Sequence, residues 1–349
     1  MKKVFCAMLI FCLIFFTACN TQYVGEKLNE TKEQESIETV VETTEKEIEN
    51  KKEEILENTS DTKDVVVSQK YKIEDLEKVD KELIVYGDII KDTDTIKEKL
   101  SSYNKNISVA VYSLDGEFGL VYNTNQTYFS ACTIKIAYAL SCCKQIDEGI
   151  ESKDTILTYQ QKHYHGGSGQ IKNQPYGTTY TIETLINKCL SISDNVAYEM
   201  LVDHFGYDYY NKMVRDLGCE SIKLSGLWAS RAKSLDFIRV WTAVVEYFKS
   251  APPMSNVLKK ACTNTPFNYR TKTIKEFDYS HKSGDNFGIS AAYNDAGIVW
   301  CEKPYVYVVF TNSEGTYYDA ETVNTVMRSI FDNINSAVDI DKTEKILYN

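Results

Sequence analysis

Apolar positions between residues 93 and 336 follow two spacings, one typical of helices and one typical of strands. The order is a helix, two strands joined at Asp115-Gly116, a long helical block, three strands and a last helix. The predicted helices cover 93–103, 133–145, 181–190, 196–204, 207–217, 234–249 and 319–334, and the predicted strands cover 107–113, 118–122, 279–283, 291–300 and 305–311. We therefore predict an α+β fold in which the first and last strands join one antiparallel sheet around an inserted all-helical block.

Residues 1–19 have the pattern of an export signal. Two lysines precede an apolar run over residues 4–16 that is too short to span a bilayer, and small residues then precede Cys19. The pattern is similar to a bacterial lipoprotein signal, although Phe16 stands where that signal usually has leucine. The alternative is a plain secretory signal cleaved near Ala18. We expect lipidation of Cys19 and a protein anchored on the extracytoplasmic face of the bacterial cell membrane.

The acidic charge of the chain lies mainly in a tether over residues 20–70. Residues 20–64 carry 12 Glu, 2 Asp and 6 Lys, a net charge of −8 out of −11 for the whole chain. A segment so rich in charge and poor in aromatic residues is typical of a solvated spacer. The globular domain is expected over residues 71–349, and the charge argues against a nucleic-acid partner.

The cysteines do not form a disulfide or metal framework. Seven follow Cys19, at irregular spacing and without a C-x-x-C pair, so neither a set of disulfides nor a structural zinc site is indicated. His163 and His165 alternate in a glycine-rich stretch, where a solvated loop is favoured over a metal site. We expect no metal.

Cys132 and Lys135 open the apolar helix predicted over residues 133–145. A spacing of three places both side chains on one face, and the helix dipole and the lysine ammonium would both lower the pKa of the thiol. The pattern predicts an activated thiol. The alternative is a small buried residue followed by a surface lysine.

Three short motifs occur in one order and in matching contexts. The first opens an apolar helix, the second lies between two helices and the third ends a strand: Cys132-Thr-Ile-Lys135, Ser193-Asp194-Asn195 and Lys282-Ser283-Gly284. S-x-x-K, S-D-N and K-T-G together are typical of class A β-lactamases and penicillin-binding proteins. Taken alone, each motif has a simpler interpretation; Asp194 and Asn195, for example, suit a helix N-cap.

Residues 93 to 336 therefore resemble the serine β-lactamase and penicillin-binding superfamily, nearest its class A branch. The resemblance implies a β-lactamase/transpeptidase-like fold of three layers, in which helices flank an antiparallel sheet. It also implies a β-lactam or a peptidoglycan stem peptide as substrate and no cofactor, and we expect a monomer.

The resemblance also implies a role for each motif residue. Cys132 would attack an amide carbonyl and form a thioester, Lys135 would act as base, and Ser193 would pass a proton to the leaving nitrogen. Asn195 would bind the amide of the substrate, and Lys282 and Ser283 would bind the carboxylate of the substrate. Gly284 would let the strand approach the ligand. The backbone N–H of Asp285 would form an oxyanion hole with that of Cys132.

Two departures from the family bear on activity. Cysteine stands where the family has serine, so the acyl intermediate would be a thioester. Aligning Leu217-Gly218 with the family places Trp228 at the position of the deacylating glutamate, and Glu220 falls eight residues too early. We therefore expect slow deacylation. The alternative is a catalytically inactive cell-wall or β-lactam sensor.

Overall fold

The computed structural model describes residues 73–76, 79–103, 106–226, 229–263, 265, 278–313 and 317–337. The export signal, the tether, Cys19 and Trp228 lie outside these residues.

A six-stranded antiparallel sheet forms the centre of the domain, with the order β1-β3-β2-β10-β9-β8. Its strands are β1 (Leu83–Tyr86), β2 (Ile107–Ser113), β3 (Gly119–Tyr122), β8 (Asp278–Asn286), β9 (Ala292–Trp300) and β10 (Tyr305–Thr311). Strand β2 pairs with β10 along its whole length, so the early and late strands meet in the middle of the sheet. This confirms the predicted α+β arrangement.

Most of the helices lie in the chain between β3 and β8. The described helices are α1 (Thr93–Ser102), α2 (Ile134–Asp147), α3 (Ile182–Ser191), α4 (Asn195–Phe205), α5 (Asp208–Asp216), α6 (Ser234–Ser250), α7 (Ser255–Cys262) and α8 (Tyr317–Ala337). Each predicted helix is present, with ends that differ by a few residues. In the described part of the chain, no helix is both long and apolar enough to cross a membrane.

Each face of the sheet packs against its own layer of helices. Because side chains alternate along a strand, Val308 and Phe310 of β10 join the large core cluster shared with the inserted helices. The intervening Tyr307 and Val309 join a second cluster with α1 and α8. The result is the expected order of helices, sheet and helices.

The pattern missed the shortest elements. Strand β1 has four residues, α7 has eight, and two small antiparallel ribbons pair β4 (Tyr128–Phe129) with β7 (Arg231–Ala232) and β5 (Ile156–Thr158) with β6 (Thr179–Thr181). Such lengths give only about two periods of apolar spacing, or fewer. The β4–β7 ribbon matters for the site, because β4 leads directly into the Cys132 turn.

Candidate active site

Cys132 lies in a tight turn between β4 and α2. The residues Ala131–Thr133 form a 3-10 turn, and Ala131 has a φ of 46°, in the left-handed region that side chains rarely adopt. The sequence placed Cys132 in the first turn of the α-helix, whereas the structure places it just before that turn. Its side chain is buried but reaches the surface, with 8% of the residue exposed.

Lys135 is completely buried and points at the Ser193-Asp194-Asn195 motif. Its Nζ donates to the carbonyl oxygen of Ser193 at 2.7 Å and to Oδ1 of Asn195 at 2.7 Å, and lies 3.5 Å from the Ser193 hydroxyl. It also lies 5.8 Å from the centre of the Tyr198 ring. The surface-lysine alternative is therefore wrong.

Asn195 links the lysine to the thiol and to the wall of the site. Its Oδ1 lies 3.9 Å from Cys132 Sγ, and its Nδ2 donates to the carbonyl oxygen of Gly166 at 2.6 Å and lies 3.2 Å from His165 Nδ1. The motifs that were 63 residues apart in the chain thus meet around one carboxamide.

Asp194, between Ser193 and Asn195, has a structural role. Its carboxylate caps α4 by accepting from Ala197 N at 3.0 Å, which confirms the N-cap interpretation for this residue. It also accepts from the backbone of Gln170 and Ile171, at 2.6 and 2.9 Å. A Cβ at Gly169 would lie 2.3 Å from the Asp194 carboxyl carbon, so the loop needs glycine there to approach.

The third motif lies along β8 on the other side of the thiol. Lys282 is buried and its Nζ donates to the carbonyl oxygen of Ser283 at 2.7 Å. A Cβ at Gly284 would lie 2.7 Å from the backbone nitrogens of Cys132 and Thr133, so the missing side chain lets the strand reach the nucleophile turn. Ser283 is buried, and Asp285 is exposed at the end of the strand.

The charges around the thiol favour its anion. Burial would raise the pKa of the Cys132 thiol, but Lys135, Lys282 and hydrogen bonding with Ser193 outweigh burial and bring the pKa below its ordinary value. Burial, together with the charge of Lys135, lowers the pKa of Lys282 to about 8. The other six described cysteines are buried, and each of their thiols has a raised pKa.

We expect acylation by a substrate that carries a carboxylate to lose rate above about pH 8. The thiolate forms as pH rises through the pKa of Cys132, whereas Lys282 loses its charge as pH rises through about 8. The resemblance described above implies that this charge would attract the carboxylate of the substrate. Acylation rates of wild type and Lys282→Arg, measured from pH 6 to 10, test this. The arginine stays charged, so its alkaline limb should disappear. An unchanged alkaline limb in the variant would assign it to another group.

The sequence did not indicate the polar residues whose hydrogen bonds connect β8 and the residues before Cys132 to neighbouring segments. Asn294 Nδ2 donates to the carbonyl oxygen of Phe129 at 2.8 Å. Buried His281 lies 3.0 Å from Asp295 Oδ1 and 2.9 Å from Thr265 Oγ1. The predicted strands 279–283 and 291–300 include His281, Asn294 and Asp295, but nothing local showed which element these side chains contact.

The histidines of the glycine-rich loop have protein partners. His163 Nε2 lies 3.1 Å from Asp203 Oδ2, and His165 Nδ1 lies 2.9 Å from the carbonyl oxygen of Gly166. Among the described residues, no three histidine, cysteine, aspartate or glutamate side chains form a group that could hold a metal ion.

The fold and the grouping of a nucleophile, a buried lysine and an S-D-N turn beside a K-S-G strand define the class of serine β-lactamases and penicillin-binding proteins. A sequence model of the beta-lactamase enzyme family matches residues 92–335. The chain belongs to this family and is a β-lactamase-like hydrolase.

Individual relatives are distant in sequence. Beta-lactamase VEB-1 of Pseudomonas aeruginosa is 24% identical over 246 residues, which are 62% of this chain and 80% of VEB-1. Among solved structures, an acyl-enzyme complex of a PBP-A mutant with penicillin G is similar with a TM-score of 0.63 and 20% identity, over 70% of this chain and 96% of that one. A beta-lactamase from Sphaerobacter thermophilus has a TM-score of 0.61 and 19% identity, over 70% and 96%. These structures share the fold.

Proposed function

We propose that this protein transfers the acyl group of a β-lactam or a peptidoglycan stem peptide to Cys132, and that the thioester then hydrolyses slowly. The observation that carries the proposal is the buried Lys135 ammonium, held 2.7 Å from both Ser193 O and Asn195 Oδ1 beside a thiol of lowered pKa. A structural thiol does not require such surroundings, and the other six described thiols all have a raised pKa. Cys189 also interacts with Lys135 and Lys282, but burial outweighs their charges.

In the proposed reaction the Cys132 thiolate attacks the amide carbonyl carbon, and the C–N bond of the amide breaks. Lys135 takes the proton of the thiol and, as an ammonium, holds the thiolate. This proton then passes through the Ser193 hydroxyl to the leaving nitrogen. The backbone N–H groups of Cys132 and Asp285 would stabilise the tetrahedral oxyanion.

The remaining residues of the site would bind substrate. Asn195 would contact the substrate amide after its Nδ2 exchanges the carbonyl of Gly166 for the ligand. Lys282 and Ser283 would bind the carboxylate, and Gly284 would keep the strand close to the Cys132 turn, where the reacting carbon would lie. The penicillin complex of the PBP-A mutant, which shares this fold, supports a β-lactam as the first ligand to try.

Penicillin G separates this function from the sensor alternative. Acyl transfer predicts an increase in intact mass by one penicillin that persists after the free drug is removed. A sensor predicts measurable binding with no change in mass. Rapid turnover of a chromogenic cephalosporin by the wild-type protein would contradict slow deacylation.

We also propose that Cys19 anchors the protein to the extracytoplasmic face of the membrane. The support is the positive start, the short apolar run and the small residues before Cys19. Cys19→Ser should move the protein from the membrane fraction to the soluble fraction of the cells, because the modified thiol is lost. A variant that stays in the membrane fraction, or a wild-type chain without the mass of a lipid, would contradict the anchor.

A further inference from the structure

Helix α4 presents three polar residues in one row towards the loop of residues 160–174. Asn195, Glu199 and Asp203 are spaced by four, so they lie one above another. Asn195 contacts Gly166 and His165 of this loop. Asp203 contacts the same loop through His163 at 3.1 Å and Lys162 at 2.8 Å. Glu199, between them, therefore faces this loop as well.

Glu199 differs from Asn195 and Asp203 because its side chain has no hydrogen-bond or ion-pair partner among the described residues. Within the described part of the chain, it makes no hydrogen bond or ion pair, although it is half-buried. Burial raises the pKa of its carboxyl, and the charges of His165, His163 and Lys135 act in the opposite direction. The charge of Glu199 also contributes, after burial, to the raised pKa of Tyr207. A carboxylate in these surroundings can accept a proton from water.

The helix directs this carboxylate towards the end of α4 that carries Asn195. Side chains on an α-helix lean towards its N-terminus, which here is Asn195. The Asn195 carboxamide lies 2.7 Å from Lys135 Nζ and 3.9 Å from Cys132 Sγ. Glu199 is thus one helical turn from the atoms that would surround an acyl group on Cys132.

We propose that Glu199 is the base that activates water for hydrolysis of the acyl group on Cys132, an inference that rests on the proposed acyl transfer. Water attacks the thioester carbonyl carbon and gives its proton to the Glu199 carboxylate. The C–S bond then breaks, its electron pair stays on sulfur, and the acid leaves. The proton on Glu199 passes to solvent, and Lys135 and Lys282 stabilise the released thiolate.

Glu199→Gln tests this step, and Asp203→Asn, one turn further along the same row, is the matched control. Each protein is acylated with penicillin G, freed of excess drug and followed by intact mass. We expect Glu199→Gln to form the adduct at the wild-type rate and to lose it at least about tenfold more slowly. Asp203→Asn should behave like wild type. Hydroxylamine, which attacks a thioester without a base, should release the adduct from all three proteins at similar rates.

The outcomes separate this inference from the function on which it rests. Equal loss of the adduct in wild type and Glu199→Gln overturns the role of Glu199 and leaves acyl transfer intact. No adduct on the wild-type protein overturns acyl transfer, and this inference with it. If Glu199→Gln forms no adduct, Glu199→Ala is acylated with and without formate. Faster deacylation with formate supports the role of the carboxylate, and any other result overturns it.

Discussion

Lys135→Met should reduce the rate of acylation by penicillin G by roughly 10²- to 10⁴-fold, the range that a positioned proton-transfer group contributes. Methionine fills a similar volume but cannot hold the thiolate or take its proton. The fully buried carbonyl of Ser193 and Oδ1 of Asn195 would also lose the donor at 2.7 Å that fixes them. The rate of adduct formation by intact mass at neutral pH measures the effect.

A direct readout of the thiol separates chemistry from a general loss of structure. Without Lys135, burial raises the pKa of Cys132 with only Lys282 left as a nearby cation to oppose it. Alkylation by iodoacetamide should therefore need a higher pH in Lys135→Met than in wild type. Lys144→Met, in the last turn of the same helix, is the control and should match wild type. If the rate of acylation of Lys135→Met is within about threefold of the wild-type rate, Lys135 does not take part in the reaction.

The sequence was sufficient to predict which motif residues lie together but not the way they are held. Order and context were enough to bring Cys132, Lys135 and Asn195 together, because three motifs on separate elements restrict the fold far more than one. The positions of apolar residues also predicted each helix of more than eight residues in the described chain. The local signal for Asp194 was a helix cap, and the structure confirms it.

Contacts between distant segments were not predictable. Asp194 accepts from backbone groups 24 and 23 residues away, and no local pattern marks which loop will lie against it. Gly284 was expected to admit a ligand, whereas the structure shows that a Cβ at this position would lie within 3 Å of backbone atoms of the Cys132 turn. Such constraints arise from the packing of a strand on a turn, and sequence spacing does not contain them.

The position of a deacylating carboxylate was also not predictable from local sequence. Sequence reasoning examined the loop after α5, where Trp228 lies outside the described residues and Glu220 is exposed. In the sequence, Glu199 has the pattern of an ordinary polar position on an amphipathic helix. Only the contacts of Asn195 and Asp203 with the 160–174 loop show that this face of α4 borders the site.

The second large effect concerns the nucleophile itself. Cys132→Ala should abolish the penicillin adduct completely, because every other described thiol has a raised pKa. This includes Cys189, where burial outweighs the charges of Lys135 and Lys282. Cys132→Ser should keep the adduct as an ester, since the surrounding groups of the family's serine enzymes are present, and its deacylation should remain slow. Unchanged melting temperatures would show that both variants fold.

Intact mass after incubation with penicillin G, compared between wild type and Cys132→Ala, tests the central claim most directly. The proposed acyl transfer predicts a gain of one penicillin on the wild-type protein and no gain on the variant. An adduct that persists in Cys132→Ala, or a wild-type protein that binds penicillin without any gain in mass, would contradict acyl transfer to Cys132.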